Sequence, residues 1–193
     1  FDLSFMRCIP NMVIMAPADE NECRRMLTTG YLYEGSAAVR YPRGTGPGAQ
    51  IDTNLDTLPI GEADVRRRGR KLAILSFVTL LPAAESIGRS YDFTVVNMRF
   101  VKPLDANLLR ELARYHDGFI TLEDNTIDGG AGSAVAEFFA AEGLQTQVLH
   151  LGLPDAFLEH ATREQLLSEC GLDAQGIETS ILARWPDLAK SIG

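Results

Sequence analysis

Leu72-Ala-Ile-Leu-Ser-Phe-Val78 is a seven-residue run with a single polar side chain, Ser76. A run that short and that evenly apolar reads as a strand buried on both faces, at the centre of a sheet. Downstream the same kind of run recurs at Phe93-Thr-Val-Val-Asn-Met98, Phe119-Ile-Thr-Leu122 and Gln147-Val-Leu-His-Leu151. Helical stretches fill the gaps. Pro82 suits the first turn of a short helix reaching about Ile87. Pro103 and Asp105 introduce another with Leu108, Leu109 and Leu112 on one face, and Gly118 is placed to stop it. Residues 133–141 form a third, ended by Gly143, and residues 162–170 and 173–184 read as two more with Thr and Asp caps. Residues 61–68 add an edge strand. This alternation defines the fold class as α/β, an open, mostly parallel sheet with helices on both faces.

Upstream, Asn11-Met-Val-Ile-Met-Ala-Pro17 is a buried strand closed by proline. Asp19 and Glu22 have the spacing of a capping box, and Cys23, Met26 and Leu27 share a helical face, so a helix follows and Gly30 ends it. Ser36-Ala-Ala-Val-Arg-Tyr41 is a second strand, stopped by Pro42. Residues 11–42 thus make one βαβ unit with parallel strands. Two strands cannot bury both faces of a sheet, and even the 42 residues up to Pro42 fall below the size at which a core sustains itself. The unit is expected to belong to a larger sheet whose other strands are not in this chain; the alternative is that it joins the sheet downstream. On the first reading the sequence, which opens Phe1-Asp2-Leu3 without an initiator Met, begins inside a domain. Residues 44–59 are turn-rich, with little period of either kind, and read as a linker.

The 193 residues carry 18 Lys plus Arg against 26 Asp plus Glu, a formal charge of −8. No whole-molecule field therefore draws in nucleic acid or anionic lipid. The one basic knot, Arg66-Arg67-Arg68-Gly69-Arg70-Lys71, is short, holds no aromatic residue and lies between two strands, the setting of a solvated turn. No run approaches the ~20 apolar residues of a membrane span, and no signal peptide is visible. Three scattered cysteines, Cys8, Cys23 and Cys170, make no disulfide framework, so a cytoplasmic location is expected.

Chemistry could sit at three places. The loop Gly129-Gly-Ala-Gly-Ser-Ala134 lies between a strand and a helix, where a phosphate would meet free backbone N–H groups. A dinucleotide fingerprint would need Gly or Ala where Val135 stands, so the plainer reading is that the glycines let the helix start close to a neighbour. Glu123-Asp124 ends a strand on the sheet's carboxyl edge, where α/β ligands sit, although such a pair is more often a solvated strand end or cap. His116, His150 and His160 are too dispersed for a metal site, and His150 in an apolar strand reads as a satisfied core histidine. There is no Gly-x-Ser-x-Gly elbow for a hydrolase nucleophile. The most informative motif is Arg40-Tyr-Pro-Arg43-Gly44. Arg43 follows the carboxyl end of a parallel strand, Pro42 fixes the backbone before it and Gly44 permits a sharp departure after it. Its planar fork suits a phosphate or carboxylate; a surface salt bridge is the other reading.

At this motif a family resemblance becomes close. Phe1-Asp-Leu-Ser-Phe-Met-Arg-Cys-Ile-Pro-Asn-Met-Val-Ile-Met-Ala-Pro-Ala-Asp-Glu-Asn-Glu22, Ala38-Val-Arg-Tyr-Pro-Arg-Gly44, Leu58-Pro-Ile-Gly61, Met98-Arg-Phe-Val-Lys-Pro-Leu-Asp105, Gly129-Gly-Ala-Gly-Ser133 and Leu151-Gly-Leu-Pro-Asp155 occur in order. Together they resemble, over the whole chain, the carboxyl-terminal part of the 1-deoxy-D-xylulose-5-phosphate synthase family, in the transketolase superfamily. The resemblance implies a three-layer open sheet of the transketolase C-terminal type at residues 60–193. It also implies the last βαβ unit of a thiamine-diphosphate-binding (pyrimidine) domain at residues 1–43, with the linker at 44–59 between them.

Enzymes of that family use thiamine diphosphate and magnesium to condense pyruvate with D-glyceraldehyde 3-phosphate, losing carbon dioxide. The product, 1-deoxy-D-xylulose 5-phosphate, feeds isoprenoid, thiamine and pyridoxal synthesis, and the resemblance implies a homodimer. The family's Tyr-Pro-Arg-Gly arginine holds the phosphate of the acceptor aldehyde, which makes Arg43 the expected substrate contact. The Gly-Asp-Gly metal and diphosphate motif, the glutamate for the aminopyrimidine and the catalytic histidine just before Phe-Asp are not in this sequence. The chain alone is therefore expected to hold no catalytic, cofactor or metal-binding residue and to be inactive. Ala18 stands where many relatives have a Ser helix cap, a difference of ~1 kcal/mol at most. Two other readings are the β subunit of a 2-oxo acid dehydrogenase, which should lack the Phe-Asp-Leu opening and the Met98–Asp105 run together, and a non-catalytic dimerisation or ligand-binding module at 60–193.

Overall fold

The computed structural model describes residues 1–191. In chain order the elements are α1 (Asp2–Met6), β1 (Val13–Met15), α2 (Glu20–Leu32), β2 (Ala37–Val39), β3 (Asp64–Arg67), β4 (Leu72–Ser76), α3 (Leu81–Tyr91), β5 (Thr94–Asn97), β6 (Phe100–Lys102), α4 (Ala106–Leu112), β7 (Gly118–Thr126), α5 (Ala131–Ala141), β8 (Gln147–Leu153), α6 (Arg163–Glu169) and α7 (Ala174–Arg184), with 3-10 turns at Val78–Leu80 and Pro186–Ser191. Side-chain caps start four of the helices, α2, α4, α6 and α7. Asp19, Asp105, Thr162 and Asp173 accept from the backbone of Glu22, Leu108, Gln165 and Gly176 respectively, and Thr162 with Gln165 completes a capping box.

β4 lies at the middle of a five-stranded sheet ordered β3-β5-β4-β7-β8. Its pairings with β5 and β7 are parallel, as is β7 with β8, while β3 closes the β5 edge antiparallel. Alternation along β4 sends Ala73 and Leu75 into one core with Phe119, Leu109, Val135 and Phe139, and Leu72 and Ile74 into the other with Phe93, Ile120, Ile87 and Ile181. The first core lies under α4 and α5, the second under α3 and α7. Both faces are buried, giving three layers, which is why the strand reads as continuously apolar.

The first βαβ unit takes a neighbour from this same chain. β1 pairs parallel with β2 on one side and antiparallel with β6 on the other, in a separate three-stranded sheet. The expectation that every further strand lies outside the chain is thus corrected. Phe100, on β6, is fully buried against Val13, Met15 and Met26 in a third core.

Other expectations shift at element ends. α2 runs past Gly30 to Leu32, because Gly30 packs close to Met15 and Ala37, where a bare Cα fits a helix onto a strand. Leu27 is exposed, so the inward face rests on Met26. α3 extends to Tyr91 and is closed by Asp92 at φ 55°. α4 ends at Leu112, and Gly118 opens β7 instead. β7 continues to Thr126 and is buried throughout, so Glu123 and Asp124 are interior residues and not a solvated strand end. The basic knot is a turn only in part, since Arg66 and Arg67 belong to β3, and its arginines are paired with acids: Arg66 with Asp64 and Glu85, Arg67 and Arg70 with Asp92, Arg68 with Glu111. Residues 44–59 have no helix or strand, and they lie along α2. Glu20, Asn21, Arg24 and Thr29 bind Gly48, Asp52, Thr53 and Leu58.

Candidate functional site

An open parallel sheet takes its ligand beyond the carboxyl ends of the strands, where strand order reverses. In this sheet β5 lies on one side of β4 and β7 on the other, so the reversal falls between β4 and β7. Glu123 and Asp124, side by side on β7, point to opposite faces, as neighbouring strand residues must.

Glu123 turns to the N-terminus of α5. Its carboxylate accepts from Ala131 N at 2.7 Å and Gly132 N at 2.8 Å, filling the place a phosphate would take. Burial pushes its pKa up to about 7 against the lowering pull of those two N–H groups, Asn125 and the Arg7 charge. Arg7 and Ser4 pack the outside of the same loop. Arg7 Nη1 donates to Gly129 O at 2.5 Å and Gly130 O at 2.9 Å, and Ser4 Oγ donates to Asp128 O at 2.8 Å. The glycines therefore admit a helix start close to β7 and to α1.

Asp124 turns to the first βαβ unit. Arg40, just past β2, donates through Nη1 to the Asp124 carboxylate and through Nη2 to Asp124 O at 2.9 Å, while its Nε donates to Asp2 at 3.1 Å. Burial works to lower the Arg40 pKa, but Asp124 and Asp2 outweigh it, so it is raised. From the other side Arg163, opening α6, lies 3.5 Å from Asp124 and donates to Thr79. A second bridge joins the same units. Glu22 accepts from Ala18 N at 2.8 Å, Arg99 Nε at 2.6 Å and Asn97 Nδ2 at 2.9 Å. The predicted capping box is thus half met, since Asp19 caps as expected but the Glu22 carboxylate reaches one residue further back and across to the other sheet.

Arg43 is exposed beyond β2, and it forms no ion pair among the described residues. Gly44, at φ 140°, takes a conformation that side chains rarely adopt, so the chain leaves sharply after the arginine. Arg40 was visible in the motif, but its acidic partner is 84 residues away and no local pattern signals it. His150 is half-buried with Nδ1 2.8 Å from Thr121 Oγ1, and burial lowers its pKa. Among the described residues no group of three His, Cys, Asp or Glu could hold a metal ion. With the α5 N-terminus taken by Glu123, the residues present do not fit a diphosphate and metal site.

The chain belongs to the transketolase family. Residues 61–177 match the family model described as the transketolase C-terminal domain, and residues 1–48 match the transketolase pyrimidine binding domain. Within that family the chain is similar to curated proteins named 1-deoxy-D-xylulose-5-phosphate synthase. It is 60% identical over 187 residues to the one from Xanthomonas oryzae pv. oryzae (strain PXO99A), covering 97% of this chain and 29% of the relative. It is 60% identical over 193 residues to the one from Thioalkalivibrio sulfidiphilus (strain HL-EbGR7), covering 100% and 30%. The chain thus spans under a third of the length of these relatives. Among solved structures it is similar to a split gene transketolase, described as an inactive beta4 tetramer, at 27% identity and TM-score 0.75, covering 99% of this chain and 60% of that one. Transketolase from Campylobacter jejuni shares the fold at 14% identity and TM-score 0.63, over 94% of this chain and 27% of the other.

Proposed function

We propose that this chain is the carboxyl-terminal portion of a 1-deoxy-D-xylulose-5-phosphate synthase, and that Arg43 holds the phosphate of D-glyceraldehyde 3-phosphate while the aldehyde is joined to the two-carbon unit left by pyruvate decarboxylation. The observation that carries the reading is the division of labour in Arg40-Tyr-Pro-Arg43. Arg40 is consumed by Asp124 and Asp2, while Arg43 is exposed and free of ion pairs among the described residues. A guanidinium offers two parallel N–H groups to one phosphate, which fixes both the charge and the orientation of the acceptor. The 60% identity to proteins of that name supports the reaction class. The family resemblance alone supports magnesium with thiamine diphosphate, a homodimer and a cytoplasmic setting. It alone also supports the division into pyrimidine-domain end at 1–43, linker at 44–59 and C-terminal domain at 60–193. No helix among the described residues is long and apolar enough to cross a membrane.

Arg43→Ala in the full-length synthase tests this. Losing a charge-assisted pair at a phosphate should raise the KM for D-glyceraldehyde 3-phosphate by roughly 10- to 100-fold, with the KM for pyruvate nearly unchanged. Equal rises in both constants would remove the phosphate from Arg43.

A further inference from the structure

Arg40 and Arg43 leave β2 three residues apart, the first tied down and the second open. Arg40 N donates to Met15 O at 2.8 Å, beside the end of the β1–β2 ladder. The next hydrogen bond along the chain among the described residues is Gly48 N to Glu20 Oε1 at 2.8 Å. Arg40 is therefore the last anchor before Arg43. Its side chain is held from the other sheet, by both the carboxylate and the carbonyl of Asp124, with the Arg40 side chain 14% and the Asp124 side chain 8% exposed. Asp124 sits in β7, a fully buried strand, and Arg163, itself hydrogen-bonded to Thr79, lies 3.5 Å from its carboxylate on the other side. Pro42 stiffens the short tether between the two arginines, which spans about 10 Å when extended.

We propose that Asp124, acting through Arg40, is a positioning residue for Arg43: the C-terminal sheet grips the end of β2 so that the Arg43 fork meets the acceptor phosphate. The inference rests on the phosphate reading of Arg43 and adds to it a residue from the other sheet. Displacing a binding group by about 1 Å costs up to ~100-fold in rate, so a slack anchor should tell selectively on the phosphorylated substrate.

In the full-length synthase, Asp124→Ala is expected to raise the KM for D-glyceraldehyde 3-phosphate about tenfold and leave the KM for pyruvate within about twofold. Asp124→Glu, which restores a carboxylate, should recover most of the loss. Should the alanine variant not fold, Asp124→Asn is read the same way. Two controls separate positioning from general support. With D-glyceraldehyde, which has no phosphate, the variant should match the parent enzyme. In an Arg43→Ala background, adding Asp124→Ala should have no further effect on the KM for the phosphorylated acceptor. If Arg43→Ala alone leaves that KM unchanged, the phosphate reading falls and takes this inference with it. If Arg43→Ala raises it but Asp124→Ala raises both KM values alike, or the two changes multiply independently, Asp124 only supports the fold and the positioning role is overturned.

Discussion

Glu123 occupies, with its own carboxylate, the spot that the start of a glycine-opened helix would offer an anion. Its pKa is pushed up to about 7 from 4.5, with burial as the leading cause. The folded protein therefore binds this proton more tightly than the unfolded chain. The stability linked to it is complete below about pH 4.5 and is lost as the pH rises through about 7. Glu123→Gln removes that slope, so between about pH 5 and about pH 8 the melting temperature of the parent should fall relative to the variant. Parallel curves would show that Glu123 does not titrate there. His150, lowered by burial, works in the other sense. Its contribution is held above the ordinary histidine value of 6.5 and lost as the pH falls, so His150→Gln should flatten the acid side of the profile. Space at this point is as constrained as charge. A Cβ on Gly132 would stand 2.5 Å from Thr121 Oγ1 and 2.7 Å from His150 Nδ1. Gly132→Ala should cost about 1–3 kcal/mol in denaturant unfolding, the usual range for overpacking.

Residues 97–102 form the element on which the two sheets turn. β5 ends at Asn97 in the five-stranded sheet, and β6 starts at Phe100 in the three-stranded one. Arg99, at φ 57°, takes the bend between them while its guanidinium reaches Glu22. Phe100→Ala empties a fully enclosed site, so a loss of about 3–5 kcal/mol is expected. Hydrogen exchange should locate that loss first in the β1 and β2 amides, and even loss over both sheets would contradict the placement. β6 also shows where reading the sequence stopped. The longer strands and the Asp and Thr caps were legible because apolar runs and capping residues act within a few positions of one another. Three residues of β6, separated from β5 by only two residues, carry no period of their own, and pairing with β1 some 85 residues earlier is a tertiary decision. At the site, the Arg40-Tyr-Pro-Arg43 motif is visible in the sequence, whereas the burial of Asp124 depended on β7 running on to Thr126 and on a partner far along the chain.

Across the whole molecule the two sheets share one interior. Leu3, Ile14 and Ala16 from the first unit lie in the same core as Leu75, Phe77, Val96 and Phe119 from the second. Residues 60–193 alone would expose that surface and leave Asp124 and Arg99 without Arg40 and Glu22, and a buried pair stripped of one partner typically costs 3–5 kcal/mol, on the order of a small domain's stability. The 193-residue chain should therefore unfold in one calorimetric transition, and residues 60–193 by themselves should melt clearly lower. Two separate transitions would mean that the units fold independently. The same joint has a pharmacological consequence. The switch point between β4 and β7, where open parallel sheets commonly receive a ligand, is covered by the Arg40–Asp124 clasp between protein segments. A small molecule aimed there would act as a wedge, prising β2 away from β7. On the function proposed above, it would compete with Arg40 for Asp124 and not with pyruvate, so saturating pyruvate should not relieve its effect on the full-length synthase.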